Sequence, residues 1–265
     1  MKRALTIAGS DCSGGAGIQA DLKTFTAFGV YGMSAVTAVV AENTVGVQAI
    51  QDLPVDIVIE QIKSCVDDVG TDAVKIGMLS NPQIVEAVSG CIRDYKLLNV
   101  VVDPVMVAKS GDPLLSEEAR QTVAEHLLPL ARVITPNRFE AEALTGRKIA
   151  SMDDMKAAAA WLKRSGCGWV VVKGGHMTQL GEAIDVAYDG DTYHVFQAPV
   201  LDSRNTHGTG CTFSSAIAAG LAKGYDVLKA VDTAKQFITE AIRTAPSLGR
   251  GHGPTNHFTG VTSMW

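Results

Sequence analysis

Short apolar runs alternate with longer amphipathic stretches along the chain. Apolar runs bounded by polar residues or glycine indicate strands buried on both faces, whereas apolar positions recurring every three or four residues indicate helices. The predicted strands are residues 4–8, 34–41, 73–76, 100–102, 133–135 and 169–172. The predicted helices are residues 18–28, 56–69, 82–95, 117–126, 137–144, 152–164, 212–221 and 227–244.

The order of these elements determines the expected fold class. Because strand and helix alternate, the chain is predicted to form an α/β fold with a mostly parallel central sheet and helices on both faces. Residues 183–188 and 192–197 flank Asp189-Gly190-Asp191 and predict an antiparallel hairpin at the sheet edge. No linker of biased composition and no solenoid repeat is visible, so residues 1–265 are expected to form a single domain.

Composition and charge argue against two classes of partner. The chain has 265 residues, of which 46% are hydrophobic, and its formal net charge is -5. A net negative charge gives no electrostatic basis for binding nucleic acid. The longest uncharged stretches, residues 24–41 and 205–222, barely reach the length of a membrane span, and glycines and hydroxyl side chains interrupt them. We therefore expect neither a nucleic acid partner nor a membrane span.

Two features predict a cytoplasmic location. The apolar run at the N-terminus is interrupted at residues 9–11, before a signal-peptide core could form. The five cysteines are odd in number, widely spaced and in no CxxC pair, which argues against a disulfide framework and a structural zinc site.

A glycine-rich turn at residues 205–211 leads directly into a predicted helix. Gly208 and Gly210 let the backbone approach a ligand, and the first N–H groups of the helix point at any anion docked there. A transferring phosphoryl group suits such donors, and a loop that only closes onto a buried helix is the alternative. Cys211 stands where the helix dipole favours a thiolate that could take a proton from a substrate hydroxyl. An inert buried cysteine is the alternative.

A second glycine-rich segment, residues 14–20, follows the first predicted strand and opens a helix. Its glycine spacing, with acidic Glu42 about 20 residues later, resembles the dinucleotide fingerprint of nicotinamide-dependent oxidoreductases. In that fingerprint the first glycine follows the strand directly, whereas residues 9–14 intervene here. A substrate loop in which Asp11 and Asp21 accept hydrogen bonds is therefore favoured, and a solvated helix face is the alternative for Asp21.

Polar residues after other predicted strands offer groups for a metal and for phosphates, although no GxxxxGK[ST] loop occurs. Asp103 could hold Mg²⁺ or its waters, and Asn137 and Glu140 place an amide and a carboxylate at a helix start. A helix cap with its capping-box partner is the alternative for the last two. Lys173 could meet a phosphate or be a solvated strand-end lysine. Residues 109–111 could close over the site or form a plain solvated loop.

Together these motifs resemble the hydroxymethylpyrimidine and phosphomethylpyrimidine kinases of thiamin biosynthesis, in the ribokinase superfamily. The matching segments are residues 6–11, 14–24, 75–79, 103–106, 135–137, 140–142, 173–176 and 207–212. The resemblance implies a ribokinase-like fold. It also implies a two-step kinase that uses ATP and Mg²⁺ to phosphorylate 4-amino-5-hydroxymethyl-2-methylpyrimidine and then extends the monophosphate to the diphosphate.

The resemblance also assigns roles to residues at matching positions. The anion hole would be formed by Gly208, Thr209 and Gly210, with Cys211 as the base where many sugar-kinase relatives have aspartate. The ATP contacts would be Asn137, Lys173, Thr206, Gly208 and Gly210, and the Mg²⁺ ligands would be Asp103 and Glu140. The pyrimidine pocket would be lined by Gly9, Asp11, Ala16, Asp21, Glu42, Met78 and Val105. A homodimer is implied as well.

One position departs from the family pattern, because Glu42 stands where these kinases carry glutamine in an Ala-Gln-Asn-Thr stretch. Glutamine both accepts and donates hydrogen bonds, whereas an ionised glutamate only accepts them. Glu42 is therefore expected to be protonated, paired with a cation or matched to a protonated ring nitrogen. Pyridoxal kinase ranks second, since an acidic side chain favours an amino-bearing ring over a phenolic oxygen. A non-catalytic ligand-binding protein is a further alternative.

Overall fold

The structure, a computed structural model, describes residues 1–106, 114–175 and 181–259. The strands are β1 (Arg3–Asp11), β2 (Tyr31–Asn43), β3 (Gly46–Asp52), β4 (Ala73–Ile76), β5 (Val100–Val102), β6 (Val133–Ile134), β7 (Trp169–Lys173), β8 (Glu182–Tyr188) and β9 (Tyr193–Pro199). The helices are α1 (Gly17–Ala27), α2 (Val55–Ser64), α3 (Pro82–Asp94), α4 (Glu117–Thr122), α5 (Arg138–Thr145), α6 (Met152–Lys163), α7 (Thr209–Ala222) and α8 (Val227–Arg243).

Within the described residues, the strands form one sheet in the order β3-β2-β1-β4-β5-β6-β7-β8-β9. The six strands from β2 to β7 in this order run parallel, while β3 at one edge and the β8–β9 hairpin at the other are antiparallel. The predicted α/β fold, with its mostly parallel sheet and edge hairpin, is confirmed. No helix in the described ranges combines the length and the apolar character needed to cross a membrane.

The second antiparallel edge, β3, was missing from the sequence prediction. Most of its residues are exposed, so the apolar alternation that marks a half-buried strand is absent. β3 forms because a tight turn folds it back onto the long strand β2. In that turn the Val45 N–H donates to Asn43 Oδ1 at 2.9 Å.

Other segments also differ from the prediction. β1 continues through residues 9–11, which were expected to begin a loop, and a register shift in its pairing with β2 lies between Ala8 and Ser10. α2 ends at Ser64 and continues as a π-helical turn, Cys65–Val69. The loop at residues 109–111 and the His176 end of the 173–176 motif lie outside the described residues.

The core has two parts, one on each face of the sheet. Successive strand residues point to opposite faces, so Leu5 and Ile7 lie in one cluster with residues of α2, α3, α5 and α6, whereas Ala4 lies in another with residues of α1, α7 and α8. α7 is rich in alanine and its residues from Thr212 onward are buried. Its small side chains let it lie close to the sheet between α1 and α8, so its first turn reaches the carboxyl ends of the central strands.

Candidate active site

The carboxyl ends of the parallel strands open into a cavity of about 830 Å³. Ligands of open α/β sheets bind at this position. Its walls include the predicted site residues Ala16, Glu42, Asp103, Val105, Asn137, Glu140, Lys173, Thr206, Gly208, Thr209, Gly210 and Cys211. The structure thus brings most of the predicted site together.

The start of α7 forms the floor of this cavity. Gly208 is the N-cap and has a φ of 77°, a conformation that favours glycine. A Cβ at Gly208 would collide with the carbonyl oxygen of Gly15, so the two glycine-rich loops touch through their backbones. No described side chain caps α7. The Thr209 N–H donates to the Thr206 carbonyl oxygen at 3.3 Å, which leaves the N–H groups of Gly210 and Cys211 for an anion.

Cys211 lies half-buried in that first turn. The backbone N–H of Gly17 donates a hydrogen bond to its sulfur, which favours the thiolate. Burial outweighs this bond and the nearby Lys75 ammonium, and it raises the pKa of the Cys211 thiol to about 11. The protein therefore holds a thiol here at neutral pH before ligands bind. The expectation of a thiolate at Cys211 considered the helix dipole but not burial, which has the larger effect on the pKa.

Asp21 does not reach the cavity, contrary to the expectation that it lines the substrate pocket. It is fully buried and forms an ion pair of 2.8 Å with Lys75. The Thr6 hydroxyl donates to Oδ2 and the Ser215 hydroxyl to Oδ1, both at 2.6 Å. The partners of Asp21 come from three other elements of the fold, and together they seal its carboxylate beneath the site.

Asp11 is also occupied by the protein itself. Its Oδ1 accepts the N–H of Ser13 at 2.8 Å, and its Oδ2 accepts the N–H groups of Gly15 and Ala16 at 3.0 and 2.7 Å. His207 Nε2 lies 2.8 Å from the same Oδ2. Burial acts to raise the pKa of Asp11, but the hydrogen bonds from His207, Ser13 and Ala16 hold that pKa well below its usual range.

These contacts change two expectations. Asp11 Oδ2 already has three hydrogen-bond partners and Oδ1 has one, so the main role of this carboxylate in the structure is to organise the loop. The N–H groups of Gly15 and Ala16 are those that a dinucleotide pyrophosphate would need, and they already bind a carboxylate. The nicotinamide alternative therefore lacks its binding site.

Asp103, Lys173 and Glu140 form a charged cluster beside the start of α7. The Lys173 ammonium lies 2.7 Å from Asp103 Oδ1, which also accepts the Thr135 hydroxyl at 3.0 Å. Burial works against the Lys173 charge, but Asp103 and Glu140 raise the pKa of Lys173, so it stays an ammonium. Burial raises the pKa of Glu140 to about 7, with Lys173 opposing that rise and Asp103 adding to it.

The alternative interpretation of Asn137 and Glu140 as a helix cap is also realised. Asn137 Oδ1 accepts the Glu140 N–H at 2.9 Å, and Glu140 Oε2 accepts the Asn137 N–H at 2.7 Å. The capping box uses one Glu140 oxygen and does not remove the carboxylate from the cavity wall. Asp103 and Glu140 supply hard carboxylate oxygens with no nitrogen or sulfur ligand between them. This donor set fits Mg²⁺, which binds few protein ligands and keeps several waters.

The residues predicted to line the pyrimidine pocket lie next to β1 and β2. A Cβ at Gly9 would stand 3.3 Å from Met78 Sδ, so glycine leaves room for that side chain. Met78 is 8% exposed and packs with Ala38 and Val40. Ala16, Glu42 and Val105 line the cavity, whereas the predicted pocket residues Gly9 and Met78 are not among its lining residues.

Sequence reasoning missed two parts of the site. His207 was quoted only within a motif, yet it is 4% exposed and lies with Asp11 and Glu42 in one group whose polar atoms are within 4.8 Å of one another. An apolar wall from β9 and α8 was also missed. Beside it, Lys235 of α8 forms a buried ion pair of 2.7 Å with Asp185 of β8. A lysine on the inner face of an amphipathic helix was the available signal for that wall.

Comparisons with known proteins identify the family. The profile of the phosphomethylpyrimidine kinase family matches residues 11–256. The hydroxymethylpyrimidine/phosphomethylpyrimidine kinase of Rhizobium meliloti is 50% identical over 258 residues, which are 96% of each chain. The corresponding enzyme of Bacillus subtilis is 47% identical over 97% of this chain and 94% of its own.

Solved structures agree with the fold. The ADP complex of Bacillus subtilis pyridoxal kinase superposes with a TM-score of 0.91, at 46% identity over 97% of this chain and 98% of the other. The phosphomethylpyrimidine kinase of Clostridium difficile superposes with a TM-score of 0.81, at 46% identity over 91% of this chain and 100% of the other. The chain therefore belongs to the phosphomethylpyrimidine kinase family of phosphotransferases, whose fold is ribokinase-like.

Proposed function

We propose that this chain uses ATP to phosphorylate 4-amino-5-hydroxymethyl-2-methylpyrimidine and then phosphorylates the monophosphate to the diphosphate, in thiamin biosynthesis. The observation that carries the proposal is the uncapped start of α7, placed in one cavity with the Asp103–Lys173–Glu140 cluster. A charged phosphoryl group needs fixed donors on one side and cations on the other, and this cavity has both.

The transfer itself assigns one step to Cys211. Cys211 first gives its thiol proton to water, which leaves a thiolate. The substrate oxygen then bonds to the γ-phosphorus and its proton moves to the Cys211 sulfur. The bond from that phosphorus to the bridging oxygen breaks, with its electron pair leaving on ADP. The N–H groups at the start of α7 stabilise charge on the transferring group. Lys173 places a fixed positive charge beside them.

Asp103 and Glu140 are the residues that would hold Mg²⁺. The bound ion would neutralise negative charge on the phosphates of ATP. Thr206 and Asn137 line the same part of the cavity, and we assign them to the nucleotide. The apolar wall from α8 and β9 suits the base of the nucleotide, because flat rings bind between apolar side chains.

Glu42 is proposed to read the amino edge of the pyrimidine ring. It lines the cavity on the side of β2, beside His207. An ionised Glu42 would accept from the ring amino group and match a protonated ring nitrogen. If the Glu42→Gln variant keeps kcat/KM for the pyrimidine within about twofold, the ionic form of this idea fails.

A second candidate is pyridoxal kinase. The observation in its favour is that the pyridoxine kinase of Bacillus subtilis is 46% identical over 97% of this chain. The same anion cradle could serve the hydroxymethyl group of a pyridine ring. The two substrates differ at the ring edge that Glu42 faces, so Glu42 discriminates between the candidates.

The test is ATP consumption by the purified protein with Mg²⁺, with hydroxymethylpyrimidine and pyridoxal compared and the products separated by mass spectrometry. We expect the pyrimidine monophosphate first and the diphosphate after it. Pyridoxal phosphate as the sole product would reassign the substrate. Nucleotide binding without turnover of either substrate would favour a non-catalytic ligand-binding protein.

We further propose that the protein acts as a homodimer in the cytoplasm. Apolar Val39 on β2 and Ile50 on the edge strand β3 are 50% and 39% exposed, which supports a covered edge. Light scattering after size-exclusion chromatography should give twice the chain mass, and the mass of a single chain would reject the dimer.

A further inference from the structure

A fully buried lysine lies under the start of α7. Lys75, on β4, has no exposed surface, and its side chain extends toward the carboxyl end of the strand. A Cβ at Gly77 would stand 2.7 Å from its ammonium nitrogen. Glycine at that position therefore leaves the space that the ammonium occupies, at the end of the strand that borders the cavity.

Asp21 fixes this ammonium in place. The two charges are 2.8 Å apart and both side chains are fully buried. Since the hydroxyls of Thr6 and Ser215 also donate to Asp21, its carboxylate cannot turn away from Lys75. Replacing a buried ion pair with apolar residues is often neutral or stabilising, so stability alone explains such a pair poorly.

Two matched contacts between α1 and α7 place the Lys75–Asp21 ion pair close to Cys211. The N–H of Gly17 donates to the Cys211 sulfur, and the Ser215 hydroxyl donates to Asp21 at 2.6 Å. Asp21 follows Gly17 by four residues, and Ser215 follows Cys211 by four. Because four residues make about one helical turn of 5.4 Å, the ion pair lies one turn beneath the sulfur.

Four charged groups act on the Cys211 sulfur: Lys75 and Asp21 from below, and Asp103 and Lys173 from the side. Lys173 is committed to Asp103 at 2.7 Å in the open part of the cavity, where phosphates are proposed to bind. Burial disfavours a charge on Lys75, but Asp21 and Cys211 raise the pKa of Lys75, so it remains an ammonium. Lys75 is therefore a cation beside the sulfur that needs no ligand to be in place.

We propose that Lys75 is a positioning residue for phosphoryl transfer, whose ammonium, anchored by Asp21, stabilises the Cys211 thiolate that receives the substrate proton. The inference rests on the proposed function. The Cys211 thiol first gives its proton to water, and Lys75 favours the thiolate that remains. The substrate O–H bond then breaks as its oxygen bonds to the γ-phosphorus, the proton goes to the sulfur, and ADP leaves with the electron pair. Lys75 neither gives nor takes a proton and does not touch the substrate.

The first test is a double-mutant cycle on kcat. The paired variant Lys75→Met/Asp21→Asn removes both charges, and asparagine keeps partners for Thr6 and Ser215. We expect kcat to fall about 30-fold with both KM values within about twofold, since proton transfer is worth about 10²–10⁴-fold in enzymes. In a Cys211→Ala background the same pair should change kcat by less than about threefold. Equal losses in both backgrounds would show a merely structural role and overturn the proposal.

A second test does not need kinase activity. The rate at which iodoacetamide alkylates Cys211 is followed by peptide mass spectrometry in protein free of nucleotide and metal. The paired variant should react about tenfold more slowly than the wild type, because the thiolate is the reactive form. The exposed Cys12 in the same sample is the internal reference and should react at an unchanged rate.

The two tests separate the possible failures. If the wild type phosphorylates neither pyrimidine nor pyridoxal, the proposed function fails, and the alkylation rates still decide the role of Lys75. Unchanged alkylation of Cys211 in the paired variant overturns the inference whatever the kinase assay gives. Should the paired variant not unfold cooperatively, Lys75→Gln/Asp21→Asn, which can keep a hydrogen bond between the two side chains, is measured with the same expectations.

Discussion

The two glycine-rich helix starts of this protein have similar sequences and different occupants. α1 begins after residues 14–16, and the carboxylate of Asp11 accepts the N–H groups of Gly15 and Ala16 there. α7 begins after Gly208, and neither α1 nor α7 has a side-chain cap in the described residues. Both helix ends attract negative charge, because their first N–H groups lack helical partners. The protein supplies a carboxylate to the two N–H groups that lead into α1 and leaves the start of α7 for a ligand.

The loop before α1, which Asp11 occupies (the filled start), supports the start of α7 (the open start). His207 lies 2.8 Å from the Asp11 carboxylate and directly precedes Gly208 in the chain. The backbones of the two loops also touch, since Gly15 and Gly208 leave no room for a Cβ between them. A glycine-rich helix start is thus not by itself evidence of a ligand site. Whether a carboxylate of the same chain reaches it decides between structure and function.

The largest expected effect follows from closing the open start. Gly208→Ala forces a Cβ against the carbonyl oxygen of Gly15, so the first turn of α7 must move. We expect kcat to fall about 10³-fold, the scale of losing an oxyanion donor. The matched control is Gly224→Ala beyond the other end of α7, where φ is +89° and a Cβ meets nothing within 4 Å. That control should lose about 1 kcal/mol of stability and keep its activity. A Gly208→Ala enzyme within tenfold of wild type would contradict the anion hole.

Weakening the filled start should reduce stability. Asp11→Asn turns an amide nitrogen toward N–H donors, and we expect a loss of about 2–3 kcal/mol in the free energy of unfolding at neutral pH. Because folding lowers the pKa of Asp11, its contribution is present above the pKa of the unfolded chain and is lost as pH falls below about 4.

Urea unfolding of wild type and variant at neutral and acidic pH measures this difference, which should shrink in acid. Asp202→Asn changes an exposed aspartate in a loop and should stay within about 0.5 kcal/mol of wild type. A difference that is the same at both pH values would show that the Asp11 charge does not hold the loop.

Much of the site could be predicted because strand ends converge. Asp103 and Lys173 each follow or end a central apolar run, and parallel strands bring such residues to one edge of the sheet. The fates of Asp11 and Asp21 could not be predicted. One partner of Asp11, His207, is 196 residues away, and the partners of Asp21 are up to 194 residues away, so only the folded chain shows how fully both carboxylates are occupied.

The protonation state of Cys211 shows the same limit. Its place at a helix start is visible in the sequence and favours a thiolate. The opposing effect is burial, which raises the pKa of Cys211 to about 11 and depends on packing from several elements. Sequence position indicates one influence on a side chain, and the fold determines which influence is larger.

A smaller effect concerns the metal cluster beside the open start. Burial raises the pKa of Glu140 to about 7, so its proton must leave before the carboxylate can bind Mg²⁺. We expect the affinity for Mg²⁺ to rise about tenfold between about pH 6 and pH 7.5, measured by calorimetry with an unreactive ATP analogue. Glu140→Gln should bind more weakly and lose this pH dependence.

Stability provides an independent check with a definite sign. A carboxyl whose pKa is higher in the folded state than in the unfolded state stabilises the fold at low pH, and that contribution is lost as pH rises through the folded value. Without Mg²⁺, the Glu140 contribution to stability should therefore decline as pH rises from about 4.5 to about 7 and stay low above that, where added Mg²⁺ should raise the stability again. Thermal unfolding that is independent of Mg²⁺ above that pH would contradict the assignment of Glu140 to the metal.

The smallest expected effect is the dependence of stability on sulfate concentration, which reports how many anions bind at the two helix starts. Sulfate that binds only the folded wild type at α7 should stabilise it by about 1.4 kcal/mol at tenfold excess over its Kd. Asp11→Ala frees the N–H groups of Gly15 and Ala16, so this variant should take up a second sulfate and gain stability about twice as steeply with the logarithm of sulfate concentration. Gly208→Ala should lose the dependence at α7, which separates binding from the general stabilising effect of sulfate that all three proteins share. Equal slopes in wild type and Asp11→Ala would mean that the start of α1 is closed for a reason other than its own carboxylate.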